Sequence, residues 1–158
     1  STPTELTLRT TPLGLRVCKQ PVCEIAKLRT RSVTLDGAQL IPGGANPLVG
    51  LKGGLYDIKV EADLSQADRL VFDIRGVKLA VEASSDGLQL GGMKIPGTHK
   101  LSLRLIVDNT SLDIFFGEHG VYYSPKMITP TSKSIGVEAI GGPVTLTTLR
   151  AHELKSIW

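Results

Sequence analysis

Acidic side chains recur through the sequence in stretches of strand-like alternation: Asp57, Glu61, Asp73, Glu82, Asp108, Asp113, Glu118 and Glu138. Hydrolysis of a glycosidic bond would need two such carboxyls held ~5–5.5 Å apart in a retaining site, and no spacing among these eight brings two together. Nearly all of them alternate with apolar neighbours, the pattern of a solvated sheet face. His99, His119 and His152 lack the i, i+2 or i, i+4 partner that a metal site would supply, so no metal-ligand set is expected. No serine stands in a G-x-S-x-G elbow. No glycine-rich loop has the spacing that cradles a phosphate or a dinucleotide. The residues therefore nominate no catalytic group and call for no cofactor. Cys18 and Cys23 lie five apart around Pro21. A short-loop disulfide fits if the chain turns back there, but two free, partly buried thiols are the expected state; zinc is not expected, since the paired C-x2-C spacing and a nearby His are missing.

The elements that position these side chains are mostly strands. Apolar residues alternate with polar ones at Leu6 and Leu8, over Tyr56, Ile58, Val60 and Ala62, over Leu70, Phe72 and Ile74, over Leu101 to Val107, and over Leu112, Ile114 and Phe116. Further strands are expected at 32–35, 79–83, 121–124, 135–140 and 144–149. Turn chemistry separates them: Asp36-Gly37, Gly53-Gly54, Asp86-Gly87, Gly91-Gly92, Gly117 with Gly120, and Gly141-Gly142-Pro143. One helical segment is expected, one or two turns from Val22 to Leu28 after Pro21. About ten strands with almost no helix predict an all-β fold, a two-sheet antiparallel sandwich of the jelly-roll or lectin-like type, as a single domain over residues 1–158.

With 158 residues, 41% hydrophobic and 21% charged, the chain has the composition of an ordinary globular domain and enough length for a core that needs no metal or disulfide. Its net charge of +3 is scattered, which argues against a nucleic-acid partner. No apolar run approaches the ~20 residues of a membrane helix, so no membrane partner is expected. The opening Ser1-Thr2-Pro3-Thr4 has neither the charged nor the apolar region of a signal peptide. Asn109-Thr110-Ser111 matches the N-x-[ST] acceptor pattern, which matters only in a eukaryotic secretory pathway. Aromatics are scarce at 4%. Phe72 and Phe116 fall on core parity, and the pair Tyr122-Tyr123 must send one ring to each face. That argues against a long flat platform for crystalline polysaccharide and suits a small pocket of hydrogen-bonding groups.

The stretch Leu103-Arg-Leu-Ile-Val-Asp108-Asn-Thr-Ser-Leu-Asp113-Ile-Phe-Phe-Gly117 resembles the C-terminal module of glycoside hydrolase family 32 (levanase, invertase and inulinase type), in which an L-R-x-x-V-D-x-S-S-[VL]-E-[VI]-F pattern precedes a turn and a strand. The opening Glu5-Leu-Thr-Leu-Arg9, Leu15-Arg16-Val17, Gln20-Pro21-Val22 and Glu24-Ile25 is similar to that family's passage from propeller to sandwich. The ending His152-Glu153-Leu-Lys-Ser-Ile-Trp158 is similar to the close of bacterial levanases and sucrases. Cys18 and Cys23 depart from the pattern of the opening.

The resemblance implies a β-sandwich without catalysis of its own, since hydrolysis in that family belongs to an N-terminal five-bladed propeller whose motifs are missing here. It also implies two functions to weigh. Relatives of the sandwich act as carbohydrate-binding modules of family 66, which grip terminal fructosyl units of fructans such as levan; the partner would then be a fructan or a fructose-containing oligosaccharide. Alternatively the sandwich packs on the catalytic domain of its own polypeptide and stabilises it without touching sugar. An extracellular or cell-surface location of bacterial type goes with either. Because a fructofuranose offers hydroxyls and little flat surface, its recognition is expected to rest on Arg and carboxylate hydrogen bonds with one aromatic wall. Outward parity nominates Asp73, Arg75, Arg104, Asp108, Asp113, Glu118, Glu138 and Tyr122 or Tyr123; Arg104 with Asp108, and Asp73 with Arg75, fit structural ion pairs equally well.

Overall fold

The computed structural model describes residues 2–156; Ser1, Ile157 and Trp158, and with them the end of the closing motif, lie outside the described residues. Period-two alternation puts one row of side chains on each face of a strand, and here the apolar rows of two sheets meet. In chain order the strands are β1 (Thr4–Thr11), β2 (Gly14–Pro21), β3 (Arg29–Leu40), β4 (Tyr56–Asp63), β5 (Arg69–Ile74), β6 (Val77–Ser84), β7 (Gly87–Leu90), β8 (Met93–Pro96), β9 (Lys100–Val107), β10 (Ser111–Phe116), β11 (Tyr122–Met127), β12 (Ile135–Ile140) and β13 (Val144–Leu154). Two 3-10 turns, Cys23–Leu28 and Glu118–Gly120, complete the described elements. The segment expected to be helical is thus the first of these turns.

Six strands form one sheet in the order β11-β10-β9-β4-β13-β3, and five form the other in the order β12-β5-β6-β7-β8. All pairs are antiparallel. Between the sheets Ile58, Val60, Phe72, Ile74, Leu103, Leu105, Val107, Leu112 and Ile114 are buried, as their parity requires. Tyr122 packs its ring against this core beside Phe116, while Tyr123 turns to the opposite face. Pro96 and Pro125 fall on the edge strands β8 and β11, where a missing N–H is tolerated.

Two local features depart from simple alternation. Asp36-Gly37 makes no turn: it lies inside the long strand β3, with Gly37 at a φ of 65° between the paired residues Asp36 and Ala38. Facing it, β13 shifts register against β4 between Leu146 and Thr148. The bulge inserts one residue, so Val144 and Leu146 before it and Leu149 and Ala151 after it all point inward. Without it, the second half of β13 would show its apolar row to solvent.

The third sheet is the hairpin β1–β2 alone. Its register pairs Leu6 with Lys19, Leu8 with Val17 and Thr10 with Leu15, which places Leu6, Leu8, Leu15 and Val17 on one face. These four are 57–66% exposed. Cys18, on the other face, is buried, and both cysteines are free thiols.

Leu105 sits at the centre of the core and is 0% exposed. Truncation to alanine is expected to destabilise the chain by about 2–5 kcal/mol, measured by denaturant unfolding; a Leu105→Ala chain as stable as the parent would remove the parity argument for the core.

Candidate functional site

Part of the outer face of the six-stranded sheet is covered. Consecutive apolar residues on β9 and β10 bury Ile106 and Phe115 on that face, against Ile25 of the first 3-10 turn, with Val22, Tyr123 and Leu154 at the margin. Under this cover lies Asp57 of β4, only 1% exposed. Arg104, its neighbour from β9, donates Nε to Oδ1 at 2.9 Å and Nη2 to Oδ2 at 3.0 Å. Arg29, where the turn enters β3, donates Nε and Nη2 to Oδ2 at 3.1 and 2.6 Å. Burial alone would push the Asp57 carboxyl up, but the hydrogen bonds and charges of Arg104 and then Arg29 outweigh it and hold the group below its ordinary range. His152, paired with Asp57 across β13, is held below its ordinary value by burial and by Arg29.

A second carboxylate, Asp113 of β10, is 2% exposed on the same face. Its Oδ2 accepts from the Thr2 backbone N–H at 2.9 Å and the Thr2 hydroxyl at 2.6 Å, and its Oδ1 accepts from the Tyr123 hydroxyl at 2.8 Å. Burial and the adjacent carboxylate push the Tyr123 phenol up to about 12. Lys19 of the hairpin lies 4.5 Å over the Tyr123 ring, and Phe115 packs against the ring edge at 5.1 Å between centroids.

The other nominated residues are dispersed. Arg75 adopts a left-handed φ of 56° at the tip of the β5–β6 turn and ties loops together, donating Nη1 to the Gly54 carbonyl at 3.0 Å and to the Asp108 and Asn109 carbonyls at 3.4 Å. The Asp73 carboxylate accepts from the Gly76 N–H at 2.8 Å, and that of Asp108 from the Asn109 N–H at 2.7 Å. Neither expected ion pair forms: Arg104 is engaged by Asp57 rather than Asp108, and Asp73 caps a turn rather than facing Arg75. Glu138 lies on the outer face of the other sheet, 3.7 Å from Lys78. Tyr122 faces the core. Glu118 stands at the end of the sandwich remote from Arg75, 81% exposed and 3.3 Å from His119. Outward parity on β10 therefore did not mean exposure: Asp113 is buried because the N-terminal segment and Tyr123 close over it.

Glu118 does border a concave site. The hairpin tip (10–13), the ends of β4 and β9, the β8–β9 connection and the second 3-10 turn enclose an open cavity of about 790 Å³. Glu61, Asp63, Lys100 and Ser102 line it beside Glu118 and His119. Its residues come from five separate stretches, which is why no motif announces it; only the glycines flanking Glu118 and His119 hint at a constrained turn. Among the described residues no group of three or more His, Cys, Asp or Glu is arranged to hold a metal ion, and no helix is long and apolar enough to cross a membrane.

Asp57→Asn would leave two guanidinium groups facing an uncharged amide under the cover, at an expected cost of about 3–5 kcal/mol. The Asp57 carboxyl titrates below its ordinary value of 3.8 when folded, so its contribution is complete above about pH 4 and is lost as pH falls through the depressed folded value. Urea midpoints taken down to about pH 3 should therefore fall less steeply with acid in Asp57→Asn than in the parent. Parallel curves would mean that the carboxylate is not held by the two arginines.

No family model matches the chain. It is 29% identical to a levanase of Bacillus subtilis (strain 168) and 27% identical to a levanase of Bacillus sp. (strain L7), in each case over 100% of this chain but only 27% and 20% of the enzyme. The chain thus spans about a fifth to a quarter of the length of these curated relatives. Its fold is that of part of an exo-inulinase from Aspergillus awamori (TM-score 0.75, 17% identity, covering 100% of this chain and 36% of that one). It is equally that of part of fructan 1-exohydrolase IIa from Cichorium intybus (TM-score 0.69, 15% identity, 96% and 40%). Along all or nearly all of its length this antiparallel sandwich is thus similar to a fraction of each of these four enzymes.

Proposed function

We propose that this module packs against the catalytic domain of a longer fructan-acting polypeptide through its β1–β2 hairpin, and so stabilises that domain. The exposed apolar face of the hairpin carries the reading. A two-stranded hairpin has too little core to be stable by itself, its outer edges carry unpaired backbone groups, and four large apolar side chains lie together on one of its faces. Clustered exposure of that kind marks a surface meant to be covered. The levanases named above extend well beyond the aligned module, which supplies a covering domain in the same chain. Polar groups on the outer face of the sandwich support the same reading, because Arg104, Asp57 and Asp113 are engaged with one another's strands and with the N-terminal segment.

A second reading, in which the module grips fructosyl units, is favoured by one observation, the cavity bordered by Glu61, Asp63 and Glu118. The relatives' names, levanase and fructan 1-exohydrolase, supply the substrate class. Both readings suit an extracellular or cell-surface enzyme.

The double variant Leu8→Glu/Val17→Lys, an opposite-charge pair at directly facing positions of the hairpin, separates docking from folding. In the isolated chain, where both side chains are exposed, stability should change by no more than about 0.5 kcal/mol. In the full-length polypeptide, removing two side chains that would each contribute about 1.5–3 kcal/mol on burial should split a single thermal transition into two and lower the first. A full-length variant that melts like the parent would sink the docking reading.

A further inference from the structure

We propose that Arg9 and Arg16, directly opposed on the second face of the β1–β2 hairpin, form a receptor for a carboxylate of the domain that covers the hairpin. The hairpin then enters a cleft of that domain rather than resting on its surface. The proposal rests on the docking reading and names the chemistry of the partner at the same site. Arg9 pairs with Arg16 on the rung next to Leu8 and Val17. Alternation sends the two arginines to the face opposite the four apolar side chains. Residues 7–10 and 14–17 are all exposed, so the outer half of the hairpin is open on both faces.

Like charges directly opposite each other destabilise a strand pair, and among the described residues neither arginine makes an ion pair that would relieve this one. Arg9 Nε reaches Thr7 Oγ1 at 3.4 Å and Arg16 Nη1 the Leu15 carbonyl at 3.3 Å, both long for hydrogen bonds. The hairpin's own acid, Glu5, lies four residues from Arg9 along β1, about 13 Å away. Its third cation, Lys19, sits over the Tyr123 ring. Glu118, which borders the same cavity as the hairpin tip, pairs with His119 instead. Opposed side chains start about 5 Å apart at Cβ, so both planar guanidinium forks can close on one carboxylate. The sandwich already contains that arrangement: Arg29 and Arg104 hold the carboxylate of Asp57 at 2.6–3.1 Å. The rung beside the arginines is apolar, so a partner that seats Leu8 and Val17 is a protein surface, and the anions it can offer are Asp and Glu.

The test is amide hydrogen exchange at the outer edges of β1 and β2, with protection taken as the ratio of rates in this chain and in the full-length polypeptide. At low ionic strength, Arg9→Gln/Arg16→Gln should lower that protection about tenfold, with exchange in β4 and β9 unchanged. Raising NaCl to about 0.5 M, which shortens the Debye length to about 4 Å, should bring the parent close to the variant and leave the variant where it was. Arg9→Glu checks the sign. It creates an opposite-charge pair with Arg16, so hairpin exchange should slow in the isolated chain and quicken in the full-length polypeptide. A double variant protected like the parent, or equal salt dependence in the two, would overturn the proposal and leave docking intact. Slower exchange of Arg9→Glu in both contexts would do the same. An unprotected hairpin in the full-length parent would end the docking reading and this proposal with it.

Discussion

A carboxylate with 1% exposure, placed on the outer rather than the inner face of a sheet, is the interaction on which the architecture turns. Asp57 is tolerable there only because Arg104 and Arg29 satisfy both of its oxygens. Burying a charge without such partners costs several kcal/mol. The three residues belong to β4, β9 and the start of β3, so the cluster joins strands of the six-stranded sheet to the turn that follows the hairpin. Ile25 then seals the apolar residues of β9 and β10 beside it. In this way the hydrophobic core sets the sandwich, and a buried ionic cluster sets where the N-terminal segment lies.

The hairpin follows from that placement. Asp113 takes the Thr2 amide and hydroxyl, Val22 donates its N–H to the Pro3 carbonyl, and the Gly120 turn meets the Lys19 carbonyl with no room for a side chain between them. The base of the hairpin is therefore anchored while its apolar face points away from the sandwich. An anchored base with an uncovered face is the arrangement that the proposed docking requires. It also creates the cavity, since the tip of the hairpin closes over the ends of β4 and β9.

Much of this was legible in the residues. Alternation in β4, β5, β9 and β10 assigned the inward row correctly because those strands are regular over their length. It failed where the backbone leaves period two: the bulge of β13, and Gly37, whose positive φ sits within a strand rather than in a turn. The larger misreading concerned the outer face. Leu105-Ile106-Val107 and Ile114-Phe115-Phe116 are unbroken apolar runs, and such runs belong to strands covered on both sides. Read that way, they warn that Asp113 and Arg104, on the same row as Phe115 and Ile106, need not meet water. The cavity was beyond reach because its walls come from stretches as far apart in sequence as Thr10 and Thr147, brought together only by the fold.

Residues 4–21 are proposed to form a surface that another domain covers. Amide hydrogen exchange resolved over the hairpin, in this chain alone and within the full-length polypeptide, addresses it directly. Rapid exchange is predicted at the outer edges of β1 and β2 in the isolated chain, with strong protection of the same amides in the longer protein and unchanged protection in β4 and β9. Equal exchange of the hairpin in both would contradict it.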